Sequence, residues 1–184
     1  MKLNIGQDNL TRLALRAKNG DKGAAEGLYD NLFSKTFGFC MNRLRNRELA
    51  EDLTQDIFLK TLDNLDGFDK EKGNFVVWFW RLAHNTIIDY FRAKKSQTFS
   101  DLSEMFLDSM EDEGGRIDLD VKFEAEILKK FVNTLTSDEK EIFELRYIAE
   151  LSYSEIAEIA AKSEGALRVS ASRLKQKIRD HFQK

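Results

Sequence analysis

Residues 74–95, NFVVWFWRLAHNTIIDYFRAKK, form the most informative segment of the chain. At about 100° per residue, a helix over this segment gathers apolar side chains on one side and polar side chains on the neighbouring side. The apolar stripe, which we expect to enter a core, consists of Phe75, Phe79, Leu82, Ala83, Thr86 and Tyr90. The second stripe, called the Trp78 stripe below, consists of Trp78, Arg81, Asn85, Asp89 and Arg92.

The Trp78 stripe has the chemistry of a nucleic-acid surface. Aromatic rings stack on unpaired bases, while amide and guanidinium groups bond base edges or phosphates. Lys94 and Lys95 add positive charge to the same helix. The simpler alternative is an amphipathic core helix without chemistry of its own, and on these residues alone that interpretation is favoured.

Composition indicates an all-helical protein. The 184 residues include no proline, and helix-forming residues are abundant, which favours helices over a β-sandwich or barrel. No stretch approaches the roughly 18 apolar residues that a membrane helix needs, so we expect a cytoplasmic protein without membrane insertion. The single cysteine, Cys40, has no Cys or His set beside it. We therefore predict that Cys40 is a buried apolar residue, and that there is no metal site or cofactor.

Charge is unevenly distributed along the chain, although the net charge is only −3. Residues 81–95 carry a net charge of +3 and residues 162–184 a net charge of +5. Between them, residues 101–126 carry a net charge of −8. This pattern predicts two helical domains with basic surfaces, joined by a flexible acidic linker.

The N-terminal half contains three further predicted helical segments. One runs from about residue 8 to residue 18, a second follows Asp21 as its N-cap, and a third follows Asn46 as its N-cap. The inward face of the third helix consists of Ala50, Leu53, Thr54, Ile57, Thr61 and Leu65. Its opposite side, the acidic strip, consists of Asp52, Gln55, Asp56, Leu59 and Asp63. Composition leaves open whether this strip is a solvated face or a docking surface for a basic partner helix.

The C-terminal half predicts a helix-turn-helix. Thr136 with Glu139, and Ser152 with Glu155, form two capping boxes, and Ser163 caps a third helix. Helices of about eight and eighteen residues joined by a turn of three or four residues have the dimensions of this motif. The positions that would meet base edges or phosphates are Ser163, Glu164, Ala166, Arg168, Ser172, Arg173 and Lys175. The alternative is a three-helix bundle whose last helix is basic.

Four segments together resemble the extracytoplasmic-function branch of the sigma-70 family. AAEGLYDNLF resembles the start of region 2, AEDLTQDIFLKTL its polymerase-binding segment, and residues 74–95 its promoter-melting and −10-reading helix. LTSDEKEIFELRYIAELSYSEIAEIAAKSEGALR is similar to region 4. The order and spacing of the four segments make the resemblance specific. It implies region 2 at residues 1–97, a linker at 98–116 and region 4 at 117–184.

The resemblance implies a transcription initiation factor rather than an enzyme. Its partners would be core RNA polymerase, promoter DNA and an anti-sigma factor. The positions that match the polymerase-binding segment are Asp52, Gln55, Asp56 and Phe58, and Leu59 adds apolar area to this predicted polymerase-binding surface. Those that match the −10 element surface are Lys72, Asn74, Phe75, Trp78, Arg81, Asn85, Asp89 and Arg92. In the −35 reading helix Ala166, Val169 and Ser170 replace a threonine, a serine and an arginine that are common in the family. We therefore expect either an unusual −35 sequence or more reliance on Arg168, Ser172 and Arg173.

Three other functional classes explain the sequence less well. A protein-interaction adaptor would account for the acidic linker but would not require basic stripes in both domains. A stand-alone helix-turn-helix regulator that binds duplex DNA would account for the C-terminal half and leave the Trp78 stripe unexplained. An enzyme would need a convergent group of reactive side chains. The two histidines, His84 and His181, lie in different predicted domains, and the sequence has no glycine-rich phosphate loop.

Overall fold

The computed structural model describes residues 5–97, 130–132 and 134–182. The chain divides into two compact units, Met1–Met110 and Glu111–Lys184. Every regular element within the described residues is helical, in agreement with the predicted fold class. The predicted acidic linker, residues 98–116, lies outside the described residues, so the domain limits given above stay a prediction.

Among its described residues, 5–97, the first unit contains four long helices and one short 3₁₀ turn. They are α1 (Ile5–Lys18), α2 (Lys22–Leu44), α3 (Arg47–Asp63), the 3₁₀ turn Leu65–Gly67 and α4 (Phe75–Gln97). Both predicted N-caps are confirmed. The Asp21 side chain accepts a hydrogen bond of 3.0 Å from the amide of Ala24, and the Asn46 side chain accepts one of 2.9 Å from Leu49. A hydrogen bond from Arg16, followed by that from Ala24, lowers the pKa of Asp21 below its ordinary value.

The core of the first unit lies between α4 and the three helices before it. The predicted inward face of the third helix is confirmed, since all six residues are buried, five of them in α3 and Leu65 in the 3₁₀ turn that follows. Cys40 is buried as predicted. Of the apolar stripe of α4, Phe75, Phe79, Ala83 and Thr86 are buried, whereas Leu82 and Tyr90 remain partly exposed.

The α4 helix also has a second buried side that the sequence analysis missed. It consists of Val76, Trp80, His84 and Ile87. The Trp80 ring lies edge-on to Phe39 of α2, with 5.3 Å between ring centroids. The helix contacts α1 and α3 as well. A single apolar stripe is the pattern of a helix at the edge of a core, and α4 instead occupies the centre of this unit.

The second unit contains the predicted helix-turn-helix. Within residues 134–182 its helical elements are α5 (Ser137–Phe143), a π-helical turn (Glu144–Ile148), α6 (Tyr153–Ala160) and α7 (Glu164–Phe182). Both predicted capping boxes are present. Residues 161–163 form the turn, and Ala161 adopts the left-handed conformation with φ of 52°. The predicted helix after Thr136 thus ends in a π-helical turn, in which the amide of Ala149 donates to the carbonyl of Glu144 at 3.0 Å.

Three inward residues and one ion pair hold α7 in this unit, and two further ion pairs hold the turn before it. Leu167, Ala171 and Leu174 are buried, while Ile178, also predicted inward, is partly exposed. Lys177 pairs with Glu139 at 2.7 Å. In the turn before α7, Lys162 pairs with Asp138 at 3.1 Å and with Glu141 at 3.0 Å. Burial lowers the pKa of Lys162, but the hydrogen bonds to the two carboxylates raise it by more, to above its ordinary value.

Candidate nucleic-acid interface

An open groove on the first unit collects most of the Trp78 stripe. Its lining residues are Trp78, Arg81, Leu82, Asn85, Thr86 and Asp89 of α4, with Lys60 and Asn64 from α3 and the residue after it. The groove therefore brings an aromatic ring, cationic groups and amides onto one concave surface. These groups can stack on a base and hydrogen-bond its edges.

Trp78 is only partly exposed. One part of its ring packs against the core, and the other part lines the groove. Its ring packs against Phe68, with 5.8 Å between centroids, and against Phe75, with 5.7 Å. The remaining part of the side chain lines the groove. The ring is thus supported by the core without being sealed inside it.

The other polar members of this predicted surface are exposed or partly exposed. Arg92 pairs with Asp89 at 3.0 Å near the end of the groove, and their side chains are 75% and 66% exposed. Lys72 lies in the loop before α4 and approaches Asp69 at 3.7 Å, with its side chain 84% exposed. The Asn74 side-chain oxygen accepts a hydrogen bond of 2.9 Å from the amide of Val77. That oxygen therefore caps α4.

Two predicted contact residues are corrected by the structure. Phe75, assigned above to the −10 surface, is completely buried and lies edge-on to Phe68 at 5.5 Å. Phe58, assigned to the polymerase-binding surface, is only 8% exposed. Its ring contacts Tyr29 at 4.8 Å and Phe79 at 5.7 Å. Both rings are core residues in this conformation, because the apolar side of each helix faces the centre of the unit.

The acidic strip of α3 lies on the surface. Asp52 and Gln55 are exposed, Asp56 pairs with Lys60 at 2.8 Å, and Leu59 is 62% exposed. Sequence analysis missed Leu62, which is 46% exposed. The spacing of three residues after Leu59 was a signal that the two leucines share a side of the helix. Together they add apolar area to a surface that is otherwise acidic.

The α7 helix leaves most of the residues predicted to contact DNA exposed. Ala166, Arg168, Ser172, Arg173 and Lys175 are exposed. Ser163 caps the helix by accepting a hydrogen bond of 3.3 Å from the amide of Ala166. Glu164, also assigned to this surface, accepts a hydrogen bond from the guanidinium of Arg168.

Tyr153 is a further residue of this surface that the sequence analysis did not single out. Its ring lies 5.8 Å from the guanidinium carbon of Arg168 and 5.2 Å from that of Arg146. Cation–π contacts of this kind orient a guanidinium without neutralising it. Only the fold brings these three residues together, because Arg146, Tyr153 and Arg168 belong to three different elements.

The described part of the chain holds no cluster of three or more His, Cys, Asp or Glu side chains arranged for a metal ion. His84 is buried in the first unit, and the His181 ring of the second unit packs 5.1 Å from Phe131. Among the helices described, none combines the length and apolar character needed to cross a membrane.

Comparisons with known proteins agree with this geometry. Residues 28–97 match the family model for Sigma-70 region 2, and residues 125–178 match that for Sigma-70, region 4. Together the two matches cover more than half of the chain. The described groove and acidic strip lie within the first match, and the helix-turn-helix lies within the second apart from the last four residues of α7.

Two curated relatives are similar to this chain over most of its length. ECF RNA polymerase sigma factor SigW of Bacillus subtilis is 28% identical over 89% of this chain and 91% of its own length. ECF RNA polymerase sigma factor BldN of Streptomyces coelicolor is 29% identical over 86% of this chain and 60% of its own length.

Two solved structures share the fold. CnrH, solved with the cytosolic domain of CnrY, has a TM-score of 0.68 at 18% identity and covers 95% of this chain and 97% of its own. RpoE of Bartonella quintana, solved with the anti-sigma factor NepR, has a TM-score of 0.62 at 20% identity and covers 86% of this chain and 98% of its own. With the two region models matched in order, this chain belongs to the sigma-70 family, in its extracytoplasmic-function (ECF) branch.

Proposed function

We propose that this protein is a transcription initiation factor that binds core RNA polymerase in the cytoplasm and directs it to specific promoters. The first unit holds the melted non-template strand of the −10 element, and the second unit reads the −35 element as duplex. The observation that carries this proposal is the groove in which Trp78, Arg81 and Asn85 converge. The factor acts by binding polymerase and DNA and catalyses no reaction itself.

Holding a melted strand requires a surface that compensates for lost base stacking. Extruding a base costs a few kcal/mol, and stacking on an aromatic side chain returns about 1–3 kcal/mol per base. The Trp78 ring offers one supported face, while Arg81 and Asn85 are exposed beside it. We assign the ring to base stacking and the two polar side chains to base edges or phosphates.

Reading a duplex uses the first turns of α7. In a helix-turn-helix these turns enter the major groove. Arg168 is the long cationic side chain nearest the start of α7, and an arginine in this position bonds guanine bidentately. We assign Arg173 and Lys175 to phosphates, with Ser172 as a shorter polar contact.

Docking on the polymerase uses the acidic strip. Charged groups around an apolar centre give orientation and rate of association, while the buried apolar area gives affinity. Asp52, Gln55 and Asp56 precede the exposed Leu59 by seven, four and three residues, a spacing that places all four on one side of α3. We propose that these four residues contact a basic helical surface of the largest polymerase subunit.

An anti-sigma factor is a further proposed partner. CnrH was solved with the cytosolic domain of CnrY, and RpoE of Bartonella quintana with the anti-sigma factor NepR. Sequestration of this kind would keep the protein from polymerase until a signal releases it.

Linking two modest binding modules raises the effective concentration of the second once the first has engaged. We therefore expect promoter recognition to require both units. Because each unit contacts phosphates, promoter affinity should fall steeply as salt rises.

The decisive experiment is run-off transcription from a library of genomic promoters, with purified protein and core RNA polymerase from the same organism. We expect polymerase-dependent starts that share −10 and −35 elements. Binding to duplex promoter DNA without any such start would favour the stand-alone regulator.

A charge reversal tests the docking surface separately. Asp52→Lys combined with Asp56→Lys should abolish assembly with core polymerase, measured by gel filtration without DNA. Glu71→Lys, an exposed acid outside the strip, is the matched control. Assembly of the double variant at wild-type affinity would contradict this docking surface.

A further inference from the structure

The α1 helix lies before residues 28–97, which match region 2, yet it is bonded to the segment that leads into the Trp78 stripe. The Lys18 ammonium donates to the carbonyl of Asp66 at 2.8 Å and to that of Phe68 at 2.9 Å. The Thr11 hydroxyl accepts a hydrogen bond of 3.3 Å from the amide of Phe75. Two residues of α1 thus hold both ends of the loop between the 3₁₀ turn and α4.

Lys18 is connected to Trp78 through Phe68. Phe68, whose carbonyl Lys18 binds, is only 2% exposed. Its ring contacts Trp78 at 5.8 Å and Phe75 at 5.5 Å. The backbone at Phe68 therefore cannot shift far without moving the surface against which the Trp78 ring packs.

Thr11 acts at the start of α4. The first amides of a helix have no partner within the helix. The Asn74 side chain accepts from the amide of Val77, and Thr11 of α1 accepts from that of Phe75. A residue of another helix thus completes the N-terminal cap of α4.

The α1 helix is itself held firmly enough to serve as a fixed support. A methyl group added at Gly27 of α2 would lie 3.4 Å from the terminal carbons of Leu13, so the two helices pack closely. Arg16 pairs with Asp21 at 2.6 Å across the turn between them. Because α1 is packed against α2, its position is fixed, and it can in turn fix the loop between the 3₁₀ turn and α4.

We propose that Lys18 and Thr11 are positioning residues of the promoter-melting surface. They hold residues 66–75 so that Trp78, Lys72 and Asn74 are already placed for the unpaired strand. This inference rests on the proposed function of the groove. A site that is organised before binding gains affinity because less ordering remains to be done when the strand arrives.

The test compares Lys18→Met with Arg12→Met in the full-length protein. Both variants remove one positive charge from α1, but Arg12 is exposed, and its hydrogen bond among the described residues is a local one, to Asn9 at 3.0 Å. Open complexes on a mapped promoter are measured by permanganate reactivity, together with affinity for core polymerase. We expect Lys18→Met to reduce open complexes about tenfold at unchanged polymerase affinity, and Arg12→Met to stay within about twofold.

Two further variants separate positioning from charge. Lys18→Arg retains donors for both carbonyls and should restore most of the lost opening. Thr11→Val keeps the side-chain shape but loses the acceptor, and should reduce opening by about threefold. Equal losses of opening and polymerase affinity in Lys18→Met would indicate general unfolding and overturn the proposal, as would wild-type opening.

A measurement on the free protein checks the same inference without transcription. Only two tryptophans are present, and Trp80 is 1% exposed, so acrylamide quenching reports mainly on Trp78. Quenching should rise in Lys18→Met and stay unchanged in Arg12→Met. If the wild-type protein opened no promoter, the proposed function would fail, and quenching would still decide whether Lys18 positions Trp78.

Discussion

Arg168 donates two hydrogen bonds to one carboxylate oxygen of Glu164, from its Nε at 3.0 Å and from an Nη at 2.6 Å. The two residues lie one turn apart on the exposed side of α7, and the Tyr153 ring lies beside the guanidinium. The proposed base-reading arginine is therefore already oriented in the free protein. Less of its side-chain freedom remains to be lost when DNA binds.

Arg168→Ala should weaken binding to a promoter-derived −35 duplex and relax the preference for one base pair. The loss of a bidentate base contact corresponds to about 1–3 kcal/mol. Binding of the full-length protein with polymerase to duplexes carrying each base substitution measures both effects. Arg179→Ala, in the last turn of the same helix, is the matched control and should not change the base preference. Uniform weakening across all duplexes by Arg168→Ala would instead assign Arg168 to a phosphate.

The two tryptophans should respond to substitution in opposite ways. Trp80→Ala removes a buried ring and should lower the free energy of unfolding by about 3–5 kcal/mol. Trp78→Ala removes a partly exposed ring and should lower stability less, while reducing open complexes about tenfold or more. Thermal unfolding and permanganate reactivity measure the two quantities. Normal promoter opening by a folded Trp78→Ala protein would remove the ring from the proposed mechanism.

Ala161 in the turn of the helix-turn-helix offers a stabilising substitution. Its φ of 52° costs a residue with a side chain about 1–2 kcal/mol, whereas glycine adopts it freely. Glycine also loses about 0.5–1 kcal/mol through its more flexible unfolded state, so Ala161→Gly should raise stability by about 0.5–1 kcal/mol. Ala160→Gly, one residue earlier within α6, should lower it. Thermal unfolding followed by circular dichroism checks both, and equal effects of the two changes would contradict this account.

Glu139 should make the second unit sensitive to acid. Burial raises the pKa of its carboxyl, but hydrogen bonds from Lys177 and Thr136 lower it by more, to below the ordinary 4.5. A carboxyl whose pKa is lower in the folded state stabilises the fold above its unfolded pKa, and that stabilisation is lost as pH falls through the folded pKa.

The measurement is the free energy of unfolding from about pH 6 down to about pH 3. Over this range the free energy of unfolding should fall more for the wild-type protein than for Glu139→Gln. The Gln side chain keeps the capping-box geometry but cannot ionise. Since other carboxyls also titrate here, the difference between the two proteins is the decisive quantity. Parallel pH profiles would show that the contact with Lys177 contributes nothing.

The sequence by itself determined the helices, their caps and the helix-turn-helix. Asp21, Asn46, Thr136 and Ser152 cap the helices that they were predicted to cap. These features depend on side chains and amides within four residues of each other, and such short-range interactions can be read directly from spacing. The inward face of α3 followed in the same way, because that helix has one apolar side.

The tertiary structure decided which aromatic rings are available to a partner. Phe58 and Phe75 were predicted to contact polymerase and DNA, yet both lie in the core, because the apolar side of each of their helices faces the centre of the first unit. The bonds from Lys18 to the carbonyls of Asp66 and Phe68 span about fifty residues. Periodicity describes one helix at a time. Which of its sides is covered, and which distant side chain reaches its end, depends on how several helices pack together.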